Sequence, residues 1–579
     1  MNKYPSQTGG DFLNPFQSSY ISIKSMMTLI AAKGGSDLIT TVSEAMVKCL
    51  EAEGVEVLFG YPGATICPFY DALSKSDIRH VLVRTEQNAG HAANGYARMT
   101  GKPAVCVVTS GPGATNLITG ISTAYMDSIP MVIITGQVVS NLLGSDVFQE
   151  VDITGAVEPF IKHSYLLKDP SQVGRVFKEA FYIAGTGRPG PVLIDIPMDV
   201  QKMEVDFEYP EEANIRSYKP TSKGHAGQIK KAAAAIAAAK RPLIVAGGGI
   251  FSAGADKELL AFAEKAKIPV VNTLMGLGAI SSDSSLRMGM IGLHGIKPAN
   301  YAVRQADLLI LAGSRVADRA IPFPEVMARH KTIIHMDIDP AEIGKNLGVN
   351  IPVVGDIGKI LTQLTEVFEP EDTANWKEWL DELENVRQKH KPDHGPRNGY
   401  VNPKLLMNRL NAMADDDAII VSDVGQNQMW SANEFAVKHG RFLTSGGMGT
   451  MGYSLPAAMG AKAACPKRQT ISVCGDGSFQ MCSMELATVV QHQLPVKTVV
   501  FSNNRLGMVR EHQTVSYENN LTAVFLDGSP DFAKLAAAYG IPSLRIRENS
   551  EIDKAVEALL KADGPFLLEV MVDPLESTL

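Results

Sequence analysis

The sequence predicts an α/β protein made of three tandem, doubly wound parallel-sheet domains, and three observations carry that prediction. Short, continuously apolar runs recur along the chain, each followed by a Gly- or Asp-rich turn and a helical stretch, the pattern of strands buried on both faces of a parallel sheet. At 579 residues the chain exceeds what one hydrophobic core supports. Two polar connectors, one carrying Pro210, Pro220 and Gly224 and one running from Glu369 to Asn402, divide the runs into three sets. The expected boundaries are a loosely ordered tail at 1–38 and domains at 39–212, 222–368 and 400–579.

Taken in order, residues 1–36 are polar, contain no Arg, and match neither a signal peptide nor a transit peptide. Ordered structure is expected from Thr41, where Thr41 and Glu44 form a capping-box pair ahead of Val42, Ala45, Met46, Cys49 and Leu50 at helical spacing, with Gly54 as the stop. The runs at 104–109, 131–134 and 192–196 supply strands of the first domain. Those at 242–246, 307–312 and 332–338 supply the second, and those at 418–423, 471–476 and 498–503 the third. The charged start of the second connector reads as a solvated helix.

Composition removes several function classes. With 45% hydrophobic and 20% charged residues the chain is neither disordered nor fibrous. The net charge is −8 and no stripe gathers Lys and Arg, which excludes a nucleic-acid partner. No apolar run reaches the length of a membrane span. The six cysteines form no CxxC pair and read as reduced core thiols of a cytoplasmic protein.

The most specific signal is Gly475-Asp476-Gly477 followed, after 25 intervening residues, by Asn503-Asn504. Both ends fall where an apolar strand stops, the edge at which open parallel sheets collect ligands. The Asp476 carboxylate, the Asn503 side-chain carbonyl and a backbone carbonyl near Arg505 are oxygen ligands suited to Mg2+, with diphosphate and water completing the shell. Gly475 and Gly477 allow close approach of backbone to phosphate, and a helix starting near Ser483 is expected to aim amides at the anion. A lone GDG is usually an ordinary turn; the second motif at this distance is what lifts it above one.

On these motifs the chain resembles the thiamine-diphosphate enzymes. The segment RTEQNAGHAANGYAR at 84–98 is similar to their pyrimidine-binding segment, which places Glu86 as the carboxylate that activates the cofactor. Read without the resemblance, Glu86 is a carboxylate beside Arg84, although the small residues after it favour a pocket. Longer strings, FGYPGATICPFYDAL at 59–73, the run at 109–138, VFQEVDITG at 147–155, SGGMGTMGYSLPAAMGAK at 445–462 and RLGMVREHQ at 505–513, resemble the catalytic subunits of acetohydroxyacid synthases.

That resemblance implies an enzyme that decarboxylates one 2-oxo acid and joins the remainder to a second, in branched-chain amino acid biosynthesis. It implies Gly63, Gln426, Asn427, Gly449, Met451, Ser478, Gly507 and Met508 around the thiamine diphosphate, with Met451 as the wedge that bends it. It makes Glu86, Gln137 and Arg319 catalytic, Arg319 holding a substrate carboxylate or, alternatively, pairing with Asp318. Phe148, Met198 and His512 line the substrate pocket. In the middle domain Gly247, Gly248, Gly249, Leu274, Met275, His294, Arg315, Asp337 and Asp356 are expected to hold a structural FAD. Because Glu86 and Asp476 belong to different domains, the family geometry pairs them across a homodimer or tetramer, and it adds a small regulatory subunit.

The chain also departs from the family pattern. Val316-Ala317 replace a usual Phe-Asp, Met198 a Lys, Asn427 a His, Ala64 a Gly, and His512 a Trp that favours 2-oxobutanoate as acceptor. The rival expectations are a flavin-independent catabolic acetolactate synthase, another thiamine-dependent carboligase or decarboxylase, and a non-catalytic thiamine-binding partner subunit.

Overall fold

The computed structural model describes residues 39–369 and 376–578. The expectation for the 1–38 tail therefore lies outside the described residues. The first domain opens with β1 (Ile39–Thr41) and the Val42–Ala52 helix, whose capping box joins Thr41 and Glu44 as the sequence predicts. It continues through β2 (Val57–Tyr61), β3 (Arg79–Leu82), β4 (Ala104–Val108), β5 (Met131–Gln137), β6 (His163–Leu166), β7 (Pro191–Pro197) and β8 (Glu204–Asp206). The middle set is β9 (Pro242–Ala246), β10 (Val270–Asn272), β11 (Arg287–Met290), β12 (Leu308–Ala312), β13 (Thr332–Asp337) and β14 (Ile351–Val354). The last is β15 (Ile419–Ser422), β16 (Arg441–Leu443), β17 (Thr470–Gly475), β18 (Lys497–Ser502), β19 (Ser543–Ile546) and β20 (Phe566–Met571).

These strands build three six-stranded sheets in which every pairing is parallel, with β1 and β8 as a separate antiparallel pair. The first and third share one connectivity, β3-β2-β4-β5-β7-β6 and β16-β15-β17-β18-β20-β19. The middle sheet runs β11-β10-β9-β12-β13-β14, the strand order of a doubly wound dinucleotide fold. Each sheet has a switch point, between β2 and β4, β9 and β12, and β15 and β17, where a crevice opens at the carboxyl ends of those strands; in the first and third sheets the order turns back once more at the final pair.

One hydrophobic core runs from the first sheet into the third through the Glu86–Thr100 and Ser454–Ala464 helices. Small residues let these two backbones touch: a methyl group added at Gly95 would lie 2.0 Å from the Ala457 carbonyl oxygen, and one at Gly460 would lie 1.8 Å from that of Ala92. A buried ion pair, Arg98 to Asp127 at 2.8 Å, sits beside them, and Asp127 also accepts from the amides of Gly446 and Gly447.

Two expectations are corrected. The connector helix Lys377–Lys389 is not solvated on all sides: Trp376 and Trp379 are buried, and their indole N–H groups donate to the carbonyls of Ala239 and Pro242. Its charged face is real, but one stripe of the helix is core. The cysteines are all free, yet Cys67 is exposed and Cys465 half-buried, so only four are core thiols.

Candidate active site

The switch point of the third sheet carries the GDG motif. Gly475 ends β17, and Asp476 begins a single helical turn, Asp476–Gln480. Asp476 is 1% exposed, and its carboxylate accepts three backbone N–H groups: Gly477 at 2.8 Å, Asn503 at 3.0 Å and Asn504 at 2.6 Å. Burial pushes its carboxyl up to about 6, while those amides pull against the rise. No salt-bridge partner faces it among the described residues, so a buried carboxylate stands there without a counter-charge. A cation is the species that would relieve that cost.

The neighbours of Asp476 share this crevice. Asn503 Nδ2 donates to Gln426 Oε1 at 3.0 Å, and its Oδ1 accepts from the Arg505 amide at 3.1 Å. Arg505 turns its guanidinium to Asn504 O and Asp527, away from the carboxylate. Gln426 opens the helix after β15, and a methyl group at Gly507 would fall 1.9 Å from its Oε1, so a larger residue there would displace the Gln426 side chain. Ser478 Oγ accepts from the Gly475 amide. Met508 is half-buried on the third core. The Met451 methyl would lie 3.6 Å from a methyl added at Gly477, while Gly449 is exposed with φ +69°.

Two local expectations change here. A helical turn does begin at Ser483, but an earlier one, Asp476–Gln480, starts at the motif itself, and Glu485 of the Ser483 turn bonds to the first domain. Asn427 spends its amide on the carbonyls of Asp423 and Val473, so it presents its oxygen rather than an N–H toward Gly475.

In the first domain Glu86 opens the Glu86–Thr100 helix, half-buried, and its Oε2 accepts from Asn116 Nδ2 at 3.0 Å. Gly63 packs on Thr109 across the switch point of that sheet. Gln137 ends β5 at 2% exposure; its amide donates to Val151 O and to Asp195 Oδ2, and its oxygen accepts from Val138 N. Asp195 also accepts from Thr135 at 2.6 Å, and burial pushes its carboxyl up to about 7. The remaining pocket candidates lie on the surface of the single chain: Phe148 is 87% exposed, His512 is exposed against Tyr517, and Arg319 is exposed, 3.7 Å from Asp318. Met198 is half-buried with Ala64 and Cys67 in a cavity of about 540 Å3.

At the switch point of the middle sheet, Gly247 and Gly249 give their amides to Ala312 O and Gly313 O, and a methyl on either would clash with Gly313 or Ser314. Close packing of two strand ends therefore explains these glycines. Asp337 ends β13 with its carboxyl raised to about 6 by burial, and Asp356 caps the Ile357–Val367 helix through Lys359 N. Asn272 Oδ1 and His335 Nδ1 are buried without a hydrogen-bond partner. Leu274 packs on the third domain's core, and a methyl at Gly446 would strike Met275 Sδ at 2.1 Å. The Arg315 guanidinium would lie 2.5 Å from a methyl on Gly447.

Sequence reasoning missed three features. Asp423, fully buried with its carboxyl at about 6, accepts from the amides of Gly452, Ser454 and Val424 and so fixes the turn that follows Met451. Glu576 and Thr578 reach the site: Gln426 Nε2 donates to Glu576 O, and Thr578 bonds Glu511 and approaches His294 Nδ1 at 3.5 Å. Glu485 is the third, and the strongest signal for it is its buried carboxylate.

Comparison with known proteins agrees with this geometry. Residues 40–156, 229–364 and 423–570 match, respectively, the N-terminal TPP binding domain, the central domain and the C-terminal TPP binding domain of the thiamine pyrophosphate enzymes. A protein of Methanococcus aeolicus called "Probable acetolactate synthase large subunit" is 46% identical over 92% of this chain and 92% of its own length. The acetolactate synthase large subunit of Buchnera aphidicola is 42% identical over 92% of this chain and 95% of its own. That of Corynebacterium glutamicum is 43% identical over 92% and 87%. With three sheets of the required order and relatives this similar along nearly its whole length, the chain belongs to the thiamine pyrophosphate enzymes, in the family of acetolactate synthase large subunits.

Proposed function

We propose that this chain is the catalytic subunit of an acetolactate synthase, which decarboxylates pyruvate and joins the remaining two-carbon unit to a second 2-oxo acid, the first common step of branched-chain amino acid biosynthesis. The observation that carries the reading is the uncompensated buried carboxylate of Asp476 at the switch point of a thiamine-type sheet. The donor set suits Mg2+: the Asp476 carboxylate, Asn503 Oδ1 and the Arg505 backbone carbonyl are hard oxygens at the end of two adjacent strands. Thiamine diphosphate, once bound there, supplies the carbon nucleophile. The chain's own residues bind, orient and shield. Gln426, Ser478, Gly449, Gly507 and Met508 would hold the diphosphate end, Met451 would pack against the cofactor, and Glu86 would hold a proton toward the pyrimidine ring.

Substrate handling is assigned to Gln137, Arg319, Phe148, Met198 and His512. Exposure of Phe148, Arg319 and His512 in one chain supports a site that a second copy completes, hence a homodimer or tetramer. The word "large" in the relatives' names points to a small regulatory subunit as partner. No helix among the described residues is long and apolar enough to cross a membrane, and we assign the cytoplasm as the working compartment.

FAD fits the middle domain through its dinucleotide strand order, the unpartnered Asn272 Oδ1 and the raised Asp337 carboxyl, with Leu274, Met275, His294 and Arg315 along its edge. A flavin-free synthase is the second reading, favoured by glycine amides already given to backbone carbonyls and by Val316 buried in the core. A flavin absorbance band in the purified protein decides for the first; its absence after FAD is added decides for the second. For the main reading, calorimetric titration of thiamine diphosphate in Mg2+ is expected to weaken by about 100-fold or more in Asp476→Asn, a loss in the range of a disturbed metal site. Equal affinity in the variant contradicts it.

A further inference from the structure

We propose that Glu485 is the positioning residue for Glu86, clamping the start of the Glu86–Thr100 helix from the third domain of the same chain; this rests on Glu86 as the activating carboxylate. Glu485 is 0% exposed, and one of its oxygens, Oε1, accepts from Arg84 N at 2.9 Å, Thr85 N at 3.3 Å and Asn88 Nδ2 at 2.9 Å. These donors bracket Glu86. Thr85, the residue before the helix, makes no side-chain cap of its own. A carboxylate from about 400 residues away in sequence therefore holds the amides just ahead of the helix, as the acidic member of a capping box holds the N-cap amide, and lies at the positive end of the helix dipole.

The clamp extends along the strand that delivers Glu86. β3 is an edge strand, and its outer side is taken by the segment that follows Glu485. Thr488 Oγ1 bonds both Glu485 Oε2 at 2.6 Å and Leu82 O at 3.2 Å. The Leu82 amide donates to His492 Nε2 at 3.0 Å, Arg79 donates to His492 O, and Arg84 reaches Gln491 Oε1 at 2.7 Å. Leu82, Arg84, Thr85 and Asn88 are thus each bonded to residues 485–492, while the half-buried Glu86 side chain takes none of these bonds and accepts from Asn116. Glu485 lies nine residues after Asp476, at the far end of the loop that carries the metal carboxylate. Burial raises its carboxyl above the ordinary value and the four donors oppose that rise, so the buried acceptor is fully partnered.

The test compares Glu485→Ala, Glu485→Gln and Glu86→Gln in the full chain loaded with Mg2+ and thiamine diphosphate. Three readouts are taken: exchange of the cofactor's C2 proton for deuterium, amide exchange of the 82–90 segment by mass spectrometry, and kcat with KM for pyruvate. Glu485→Ala is expected to slow C2 exchange and kcat by about tenfold or more, as misplacing a catalytic group does. It should also raise amide exchange in 82–90 and leave KM within about twofold. Glu485→Gln keeps an acceptor at Oε1 and is expected to restore C2 exchange to within about threefold of the wild-type rate, a neutral hydrogen bond replacing a charge-assisted one. Wild-type C2 exchange in Glu485→Ala beside slowed exchange in Glu86→Gln overturns the clamp and leaves the role of Glu86 standing; wild-type exchange in Glu86→Gln overturns that role first. Should Glu485→Ala fail to fold, Thr488→Val, which removes the hydroxyl shared by Glu485 and Leu82, is measured instead: slowed C2 exchange supports the clamp and an unchanged rate overturns it.

Discussion

At Gln137 both amide hydrogens are committed in the single chain, to Val151 O and Asp195 Oδ2, while the oxygen accepts from Val138 N and keeps a second acceptor position. To donate to a substrate, as proposed, Gln137 would need to give up its bond to Val151 O or to the Thr135–Asp195 pair. Asp195 is the sensitive member. Its folded carboxyl, raised to about 7 by burial, lies above the ordinary carboxylate range, so its contribution to stability is fully present at low pH and is lost as pH rises through about 7. Asp195→Asn removes that dependence. Its melting temperature relative to wild type is expected to improve from pH 5 to about pH 7 and to level off above that; a constant difference from pH 5 to pH 8 would show that Asp195 does not titrate there. For Glu86→Gln, turnover is expected to fall by about 100-fold or more with the fold retained, the scale of a lost acid–base group; unchanged initial rates with intact circular dichroism would remove Glu86 from the chemistry. His512 is the residue proposed to set the acceptor preference. A tryptophan there adds apolar surface, and His512→Trp should raise 2-oxobutanoate over pyruvate in competition by roughly 10-fold or more, the value of one methylene in a packed pocket. An unchanged product ratio would place His512 outside the acceptor pocket.

Among elements, the helix pair Glu86–Thr100 and Ser454–Ala464 decides how the first and third domains sit together, and it does so through glycine. Gly95→Ala or Gly460→Ala would drive a methyl into the facing backbone, and the helices must separate to admit it. Overpacking of this kind costs about 1–3 kcal/mol, occasionally more. Chemical denaturation is expected to show that loss for each variant, and Gly101→Ala, where a methyl meets nothing within 4 Å but φ is +69°, to show only the smaller cost of a left-handed turn. Equal effects at the three positions would mean that helix contact is not what selects glycine. Elements were also where the sequence spoke most and least clearly. The buried strands were legible because a parallel sheet covered on both faces demands unbroken apolar runs, and the first helix because Thr41 and Glu44 announce its start. The connector helix misled, since Trp376 and Trp379 are two anchors in a segment otherwise dominated by charge.

Over the whole molecule, the site residues that stood out in sequence, Asp476, Asn503, Gln426 and Gly507, are those whose chemistry is local to one switch point, and they do converge there. Glu485 was illegible because its meaning lies in partners about 400 residues away, and a Glu ahead of an apolar stretch looks like an ordinary helix-start acid. Phe148, Arg319 and His512 remain on the surface of one chain, where the proposed second copy would cover them. The account then rests on what the assembled protein makes from pyruvate when Mg2+ and thiamine diphosphate are supplied. Product analysis of that reaction is expected to give acetolactate, with two pyruvates consumed for each carbon dioxide released; acetaldehyde as the main product, or no carbon dioxide at all, would contradict it.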